Sequence, residues 1–334
     1  MRTEPDRIPD STTRLHRIDA LDPGISLGLL ERSEPSRDRP RPPILLIHGA
    51  TFGVTLFDLP VPGYSLIAEL AQGGRTVYAL DIRGYGYSLN GAMMDAPPDA
   101  NPPFARLRDA VRDVEAAIRF IAVRERAQAF DIVGFSWGTV VAAKYATMFP
   151  EIIAHLALYA PLYAEVNAMW RERIGDPGDR SRIDPKIGAY RYVTLADVTE
   201  RWNSDIGVAD VDAHRDRELP EVIFDALAAL DPQSRSHLPA AFRSPTGALA
   251  DLVSVFNGDP LYNPAKLTMP TLLVRGVNDT TSTDSDSKRL LAAIASPSKA
   301  YRVISPGSHF LCVEKNRTQL YECLRQFLAA DDRR

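Results

Sequence analysis

The sequence predicts an α/β fold: a mostly parallel central sheet, helices on both of its faces, and one inserted helical module. Three observations carry this. Short unbroken apolar runs such as 43–47 (PILLI), 76–82 (TVYALDI) and 152–159 (IIAHLALY) mark strands buried on both faces. They alternate with stretches of helical spacing, of which 105–126 is the longest, with Leu107, Ala110, Val111, Val114, Ile118 and Ile121 on one side. Between residues 162 and 264 the alternation stops, and it resumes afterwards.

Taken in order, residues 1–13 are polar and expected to be poorly ordered, and 15–31 alternates on either side of Asp22-Pro23-Gly24, which predicts a hairpin. An Arg- and Pro-rich loop over 33–41 leads into strand 43–47, which ends at His48-Gly49. A short helix over 64–71 stops at Gly73-Gly74, and strand 76–82 follows. A Pro-rich loop covers 89–104, then come helix 105–126, strand 127–133, helix 139–148 and strand 152–159. The insertion reads as four helices, over 163–173, 195–206, 217–230 and 245–256, separated by breakers such as Gly175-Asp176-Pro177-Gly178-Asp179 and without a buried strand. Strand 271–274, helix 285–295, strand 300–304 and helix 315–329 complete the chain. The expected division is therefore 14–161 with 265–334 as the α/β core and 162–264 as the insertion.

Composition narrows the function classes. With 334 residues and 45% hydrophobic content the chain can bury a large core. A net charge of −4, from 39 basic and 43 acidic residues, gives no electrostatic case for nucleic acid or an anionic membrane. Two cysteines, Cys312 and Cys323, cannot build a disulfide framework or a structural zinc site. Residues 1–14 have no apolar leader core, and no window approaches the ~18 apolar residues of a membrane span, so a cytoplasmic protein is expected. Neither a dinucleotide fingerprint nor a phosphate-binding loop is present, and the carboxylates of 279–286 lack a calcium-loop pattern, so no cofactor or metal is expected.

The stretch richest in chemistry is Gly134-Phe135-Ser136-Trp137-Gly138, a G-x-S-x-G between a buried strand and a helix. There the serine sits on a sharp turn, small neighbours allow the strained backbone, and the helix behind it aims free N–H groups at whatever the serine attacks. An attacking serine needs a base and a group to orient that base, both supplied from other strand ends. Asp279 follows strand 271–274 and His309 follows strand 300–304, so both fall on the carboxyl edge where the serine opens. Of the other histidines, His16 lies in the hairpin, His155 in a strand, and His214 and His237 in the insertion. Asp284 and Asp286 read as helix-start residues and Asp259 as part of a turn. Oxyanion donors are expected from the Trp137 and Ala50 backbone N–H groups, with His48 and Gly49 supporting the loop that carries Ala50.

These residues together resemble the α/β-hydrolase superfamily over nearly the whole chain. The resemblance rests on His48-Gly49, on Asp81-x-Arg83-Gly84-x-Gly86-x-Ser88, on the turn at Ser136, and on Asp279 and His309 following in that order. It implies that 162–264 is a helical cap, and that Ser136, His309 and Asp279 form a catalytic triad. Ser136-Trp137 and the DxRGxGxS stretch are similar to proline iminopeptidases, although the oxyanion loop here reads HGATFG rather than glycine- and proline-rich. A serine at the turn departs from dehalogenases and epoxide hydrolases, which carry aspartate there. The expected function is hydrolysis of a carboxylic ester, or less readily an amide, of a small molecule through an acyl-enzyme. Aminopeptidase activity, acyl transfer, carbon–carbon bond hydrolysis and ligand binding without turnover are the alternatives. Tyr163, Trp170, Tyr190, Trp202, Phe256 and Tyr262 are candidates to line the pocket or to pack the cap helices together.

Overall fold

The computed structural model describes residues 6–7, 13–34, 41–89, 91–207 and 210–330. The expected disorder of 1–13 and the loop 33–41 fall largely outside the described residues; Asp6–Arg7 forms β1 and Thr13 already opens β2. The central sheet is built from β1, β2 (Thr13–Asp19), β3 (Ser26–Ser33), β4 (Ile44–Ile47), β5 (Thr76–Leu80), β6 (Phe130–Phe135), β7 (Ile153–Tyr159), β12 (Thr271–Gly276) and β13 (Lys299–Ile304). These nine strands lie in the order β1-β2-β3-β5-β4-β6-β7-β12-β13. β1, β2 and β3 run antiparallel to their neighbours, and every pairing from β5 to β13 is parallel.

The period of two along a strand splits the core into two layers. In β4 the side chains of Leu45 and Ile47 enter one apolar cluster, while Ile44 and Leu46 enter the other. The first cluster packs under α3 (Leu107–Glu125) and α4 (Trp137–Met148). The second packs under α1 (Leu66–Ala71) and α11 (Arg317–Leu328). α1 starts at Ser65, whose hydroxyl accepts from the Ala68 N–H at 2.9 Å, and stops before Gly73 and Gly74, both at positive φ.

On the outer strands, Glu31 of β3 gathers His16 Nε2 at 2.7 Å and Arg124 Nε at 2.5 Å. Burial pushes this carboxyl up, but the hydrogen bonds from His16 and Arg124 and the Arg124 charge outweigh it and hold it at about 2. A depressed carboxylate contributes stability above its ordinary value of 4.5, and that stability goes as the pH falls toward 2. Glu31→Gln is expected to flatten the fall of unfolding free energy across this acid window, measured by urea titration at a series of pH values.

The structure departs from the sequence expectation in three places. β6 runs to Phe135 rather than stopping at 133, because Gly134 still pairs with Leu158 and Ile47; α4 then starts at Trp137, leaving Ser136 alone at the turn. The 89–104 segment holds a short helix, α2 (Ala92–Asp95).

Third, the insertion is not purely helical. It contains α5 (Ala168–Ile174), α6 (Leu195–Ile206), α7 (Val211–His214), α8 (Leu219–Ala228) and α9 (Gly247–Phe256). It also holds two small sheets, β8 (Gly175–Asp176) with β9 (Asp179–Ile183) and β10 (Tyr190–Thr194) with β11 (Ala241–Pro245). β11 corrects the expectation of no buried strand, since all five of its residues are buried. Its sequence AFRSP concealed it: an arginine and a proline break the apolar pattern, and Arg243 is buried only because Asp231 takes its guanidinium in a fork. α10 (Asp284–Ala293) follows the insertion, and Asp284 and Asp286 occupy its first turn as expected. No described helix is long and apolar enough to cross a membrane.

Candidate active site

Ser136 occupies the turn between β6 and α4 with φ 54° and ψ −123°, a backbone region that L-residues rarely enter. Three glycines let the chain pass there. A Cβ on Gly134 would lie 2.5 Å from the Gly138 carbonyl oxygen, one on Gly49 2.8 Å from the Ser136 Cβ, and one on Gly138 2.3 Å from the Ile47 oxygen. The last contact is with backbone and cannot move aside, so Gly138→Ala is expected to cost about 3 kcal/mol, read from the urea midpoint. The Ser136 main chain is held on both sides: its N–H donates to Tyr159 O at 3.0 Å, and its carbonyl accepts from the Thr139 hydroxyl at 2.6 Å.

Asp279 and His309 are brought to this serine from the ends of β12 and β13. Ser136 Oγ lies 2.9 Å from His309 Nε2, and His309 Nδ1 lies 2.8 Å from Asp279 Oδ2. A carboxylate only accepts, so Nδ1 carries the proton toward Asp279 and Nε2 is free to accept from the serine hydroxyl. Asp279 Oδ1 accepts from the N–H groups of Thr281 at 2.9 Å and Ser282 at 2.8 Å. Burial pushes the Asp279 carboxyl up, but the facing His309 and these N–H donors hold it below the ordinary range. A hydroxyl in this setting can give up its proton as it attacks, while the imidazolium so formed sits against a fixed anion.

Ala50 lines the same cavity as Ser136 and His309, and Trp137 opens α4 directly behind the serine. His48 is fully buried: its Nε2 accepts from the Ile82 N–H at 3.1 Å, so its Nδ1 donates to the Gly49 carbonyl at 2.6 Å. Burial lowers His48 to about 4, which keeps it neutral and suited to tying the loop to the end of β5.

Asp81, the first residue of the DxRGxGxS stretch, accepts from the Val54 and Tyr87 N–H groups, each at 2.8 Å, and burial pushes it up to about 7. Arg83 forks onto Asp113, and the Ser88 hydroxyl accepts from the Gly28 N–H at 2.8 Å. Of these contacts, that of Asp81 with Val54 reaches the loop over 48–57, and none of Asp81, Arg83, Tyr87 and Ser88 lines the cavity.

Several residues at the site carried no mark in the sequence. Asp205 of α6 accepts from the His309 N–H at 3.2 Å and from the Thr280 hydroxyl at 2.5 Å. Arg201 donates to the Thr281 hydroxyl at 2.7 Å. Glu314 is buried and accepts from the Ser308 N–H at 2.9 Å and the Trp202 indole at 2.8 Å. One helix of the insertion is thus bonded to both the loop bearing Asp279 and the loop bearing His309.

The cavity above Ser136 has a volume of about 630 Å³ and a largely apolar wall that includes Phe52, Phe135, Ile187, Leu249 and Phe310. Of the aromatic candidates from the insertion, Trp170 and Tyr190 line it, whereas Tyr163, Trp202, Phe256 and Tyr262 are not on its wall. Trp202 and Phe256 pack instead against Phe310 and Trp170.

Comparison with known proteins agrees with this architecture. The family model described as the alpha/beta hydrolase family matches residues 44–321, and the chain belongs to that family. No curated protein matches the chain at a significant level. Among solved structures, it resembles a thermophilic esterase from Thermogutta terrifontis with a TM-score of 0.58 at 18% identity, covering 95% of this chain and 98% of the other. It also resembles a meta-cleavage product hydrolase from Pseudomonas fluorescens, with a TM-score of 0.62, 18% identity and coverage of 95% and 98%. A third is the enol-lactonase from Burkholderia xenovorans, with a TM-score of 0.61, 16% identity and coverage of 92% and 98%. At such identities the likeness speaks for the fold.

Proposed function

We propose that this chain is a serine hydrolase that cleaves a carboxylic ester, and less readily an amide, of a small-molecule substrate through an acyl-enzyme on Ser136. The observation carrying this reading is the continuous line from Ser136 Oγ to His309 (2.9 Å) and on to Asp279 (2.8 Å), opening into an apolar cavity. In this reading Ser136 attacks the carbonyl carbon as its proton passes to His309 Nε2. The oxyanion is held by the Ala50 and Trp137 N–H groups, with His48 and Gly49 keeping the Ala50 loop in place. Collapse of the adduct expels the alcohol, which takes the proton from His309; water then repeats the sequence on the acyl group. Residues 162–264 act as the cap over the core formed by 14–161 and 265–334, and the reaction as written uses no cofactor.

The test is intact-mass labelling with a fluorophosphonate. One adduct on the wild type and none on Ser136→Ala is the expected result. Folded wild-type protein that takes no adduct would sink the reading.

A second reading, hydrolysis of a carbon–carbon bond on the same three residues, draws support from the likeness to the meta-cleavage product hydrolase. Turnover of a diketone exceeding that of every ester tried would favour it.

A further inference from the structure

The cavity wall is largely apolar but carries charged side chains, most of them from residues 162–264 and one, Asp99, from the loop before α3. Arg173 lies 3.9 Å from Glu200, and Arg201 is paired with Asp205 at 3.2 Å. Asp197 accepts from the Thr194 N–H and hydroxyl at 2.8 and 2.7 Å at the start of α6, and it is the acid whose charge acts most on Arg191. Arg191, on β10, forms no ion pair among the described residues. Its one side-chain hydrogen bond among the described residues runs from Nη2 to the Thr51 hydroxyl at 2.9 Å, which leaves most of its five guanidinium N–H donors unused.

Thr51 is the residue after Ala50, and it stands at φ 85°, unusual for a β-branched residue. The guanidinium is therefore held beside the loop that carries the expected oxyanion donor, inside the cavity that Ser136 opens into. Arg191 is exposed and lies on the cavity wall, and the protein around it removes enough water to lower its pKa.

From this geometry we infer that Arg191 is an anion-recognition residue, and that the substrate is an ester bearing a carboxylate or similar anionic group in addition to its scissile bond. The inference rests on the serine-hydrolase reading for the reaction and on the cavity alone for the anion site. A planar guanidinium with free donors in a partly desolvated pocket matches a carboxylate in a two-point fork, whereas a neutral substrate would leave it unpaired. With Lys186 on the same wall, the cations Arg173, Lys186, Arg191 and Arg201 outnumber the acids Asp99, Asp197 and Glu200 by one.

The experiment compares two matched pairs of esters on wild type, Arg191→Gln and Arg191→Lys. One pair places the charge on the acyl side, mono(4-nitrophenyl) adipate against 4-nitrophenyl hexanoate. The other places it on the alcohol side, 4-(hexanoyloxy)benzoate against phenyl hexanoate. The ratio of kcat/KM for the charged over the neutral ester is expected to fall about 10- to 100-fold in Arg191→Gln for at least one pair, chiefly through KM, and to recover in part in Arg191→Lys. The pair that responds tells which side of the bond carries the anion. Equal losses on charged and neutral esters would reduce Arg191 to a brace for Thr51, and either that result or unchanged ratios in both pairs overturns the inference.

If no ester is turned over, the hydrolase reading has failed separately, and calorimetry with adipate and with benzoate decides the anion site. Binding of either to wild type that weakens at least tenfold in Arg191→Gln supports the site. Equal binding to both proteins, or none to either, overturns it.

Discussion

Ser136→Ala is expected to lower kcat for an ester by about 10⁶-fold, with His309→Ala close to it and the double variant no worse than either single one. The reason is that the two residues act as one device. His309 Nε2, 2.9 Å from Ser136 Oγ, has nothing to deprotonate once the hydroxyl is gone, and the hydroxyl is a weak nucleophile once the imidazole is gone. Residual catalysis of about 10³–10⁴ over water should persist in all three variants, because the donors expected at Ala50 and Trp137 are backbone groups that side-chain changes leave in place. The fold should persist as well. The Ser136 side chain makes its one cross-element hydrogen bond to His309, and alanine keeps the same backbone, so Tm is expected to move by no more than ~2 °C. Single-turnover kinetics on the three variants check this, and additive losses would mean that the residues work independently.

The line from sequence to site was short where chemistry and strand ends coincide. Ser136 and Asp279 could be found because each follows a buried strand, and His309 because it follows the edge strand β13 at the same end of the parallel sheet, where side chains from distant strands converge. His48 could be given a supporting role because it sits inside the β4 exit, and its two ring nitrogens do bond backbone groups.

The insertion was less legible, for a physical reason. Its residues are defined by what they meet across the fold and not by local pattern. Asp205 reaches the His309 N–H from 104 positions away and Trp202 reaches Glu314 from 112, and neither has a neighbour in sequence that announces the partner. No local pattern marks Arg191; the pairing of β10 with β11 sets its place on the cavity wall. A strand such as AFRSP is stabilised by tertiary contacts that override its composition.

Those long-range bonds also alter how the insertion should be regarded. α6 holds the acid loop through Arg201 to Thr281 at 2.7 Å and the histidine loop through Asp205 at 3.2 Å. Displacing α6 would therefore disturb both loops at once, so the bonds that hold α6 against the core also order the residues around Ser136.

Asp279→Asn is the second large expected effect, a loss of about 10⁴ in kcat with a much smaller change in KM. All of the hydrogen bonds made by the Asp279 carboxylate are accepted ones. Oδ1 takes the Thr281 and Ser282 N–H groups at 2.9 and 2.8 Å, and Oδ2 takes His309 Nδ1 at 2.8 Å. Asparagine offers one accepting oxygen where two are needed. If that oxygen keeps the backbone N–H groups, the amide NH₂ faces Nδ1 and forces the imidazole into the tautomer whose Nε2 bears a proton, which cannot then receive one from Ser136.

If the side chain turns over, the NH₂ opposes two buried N–H donors, at a cost of about 1–3 kcal/mol in stability. The two outcomes can be told apart, since the first leaves Tm near the wild-type value and the second lowers it. The pH dependence supplies the sign. The Asp279 carboxyl is held below its ordinary 3.8, so the stability it contributes is present above that value and is lost as the pH falls through its depressed one. The asparagine variant should lack this acid-side loss. Retention of wild-type kcat in Asp279→Asn would remove the carboxylate from the mechanism and leave His309 oriented by its loop alone.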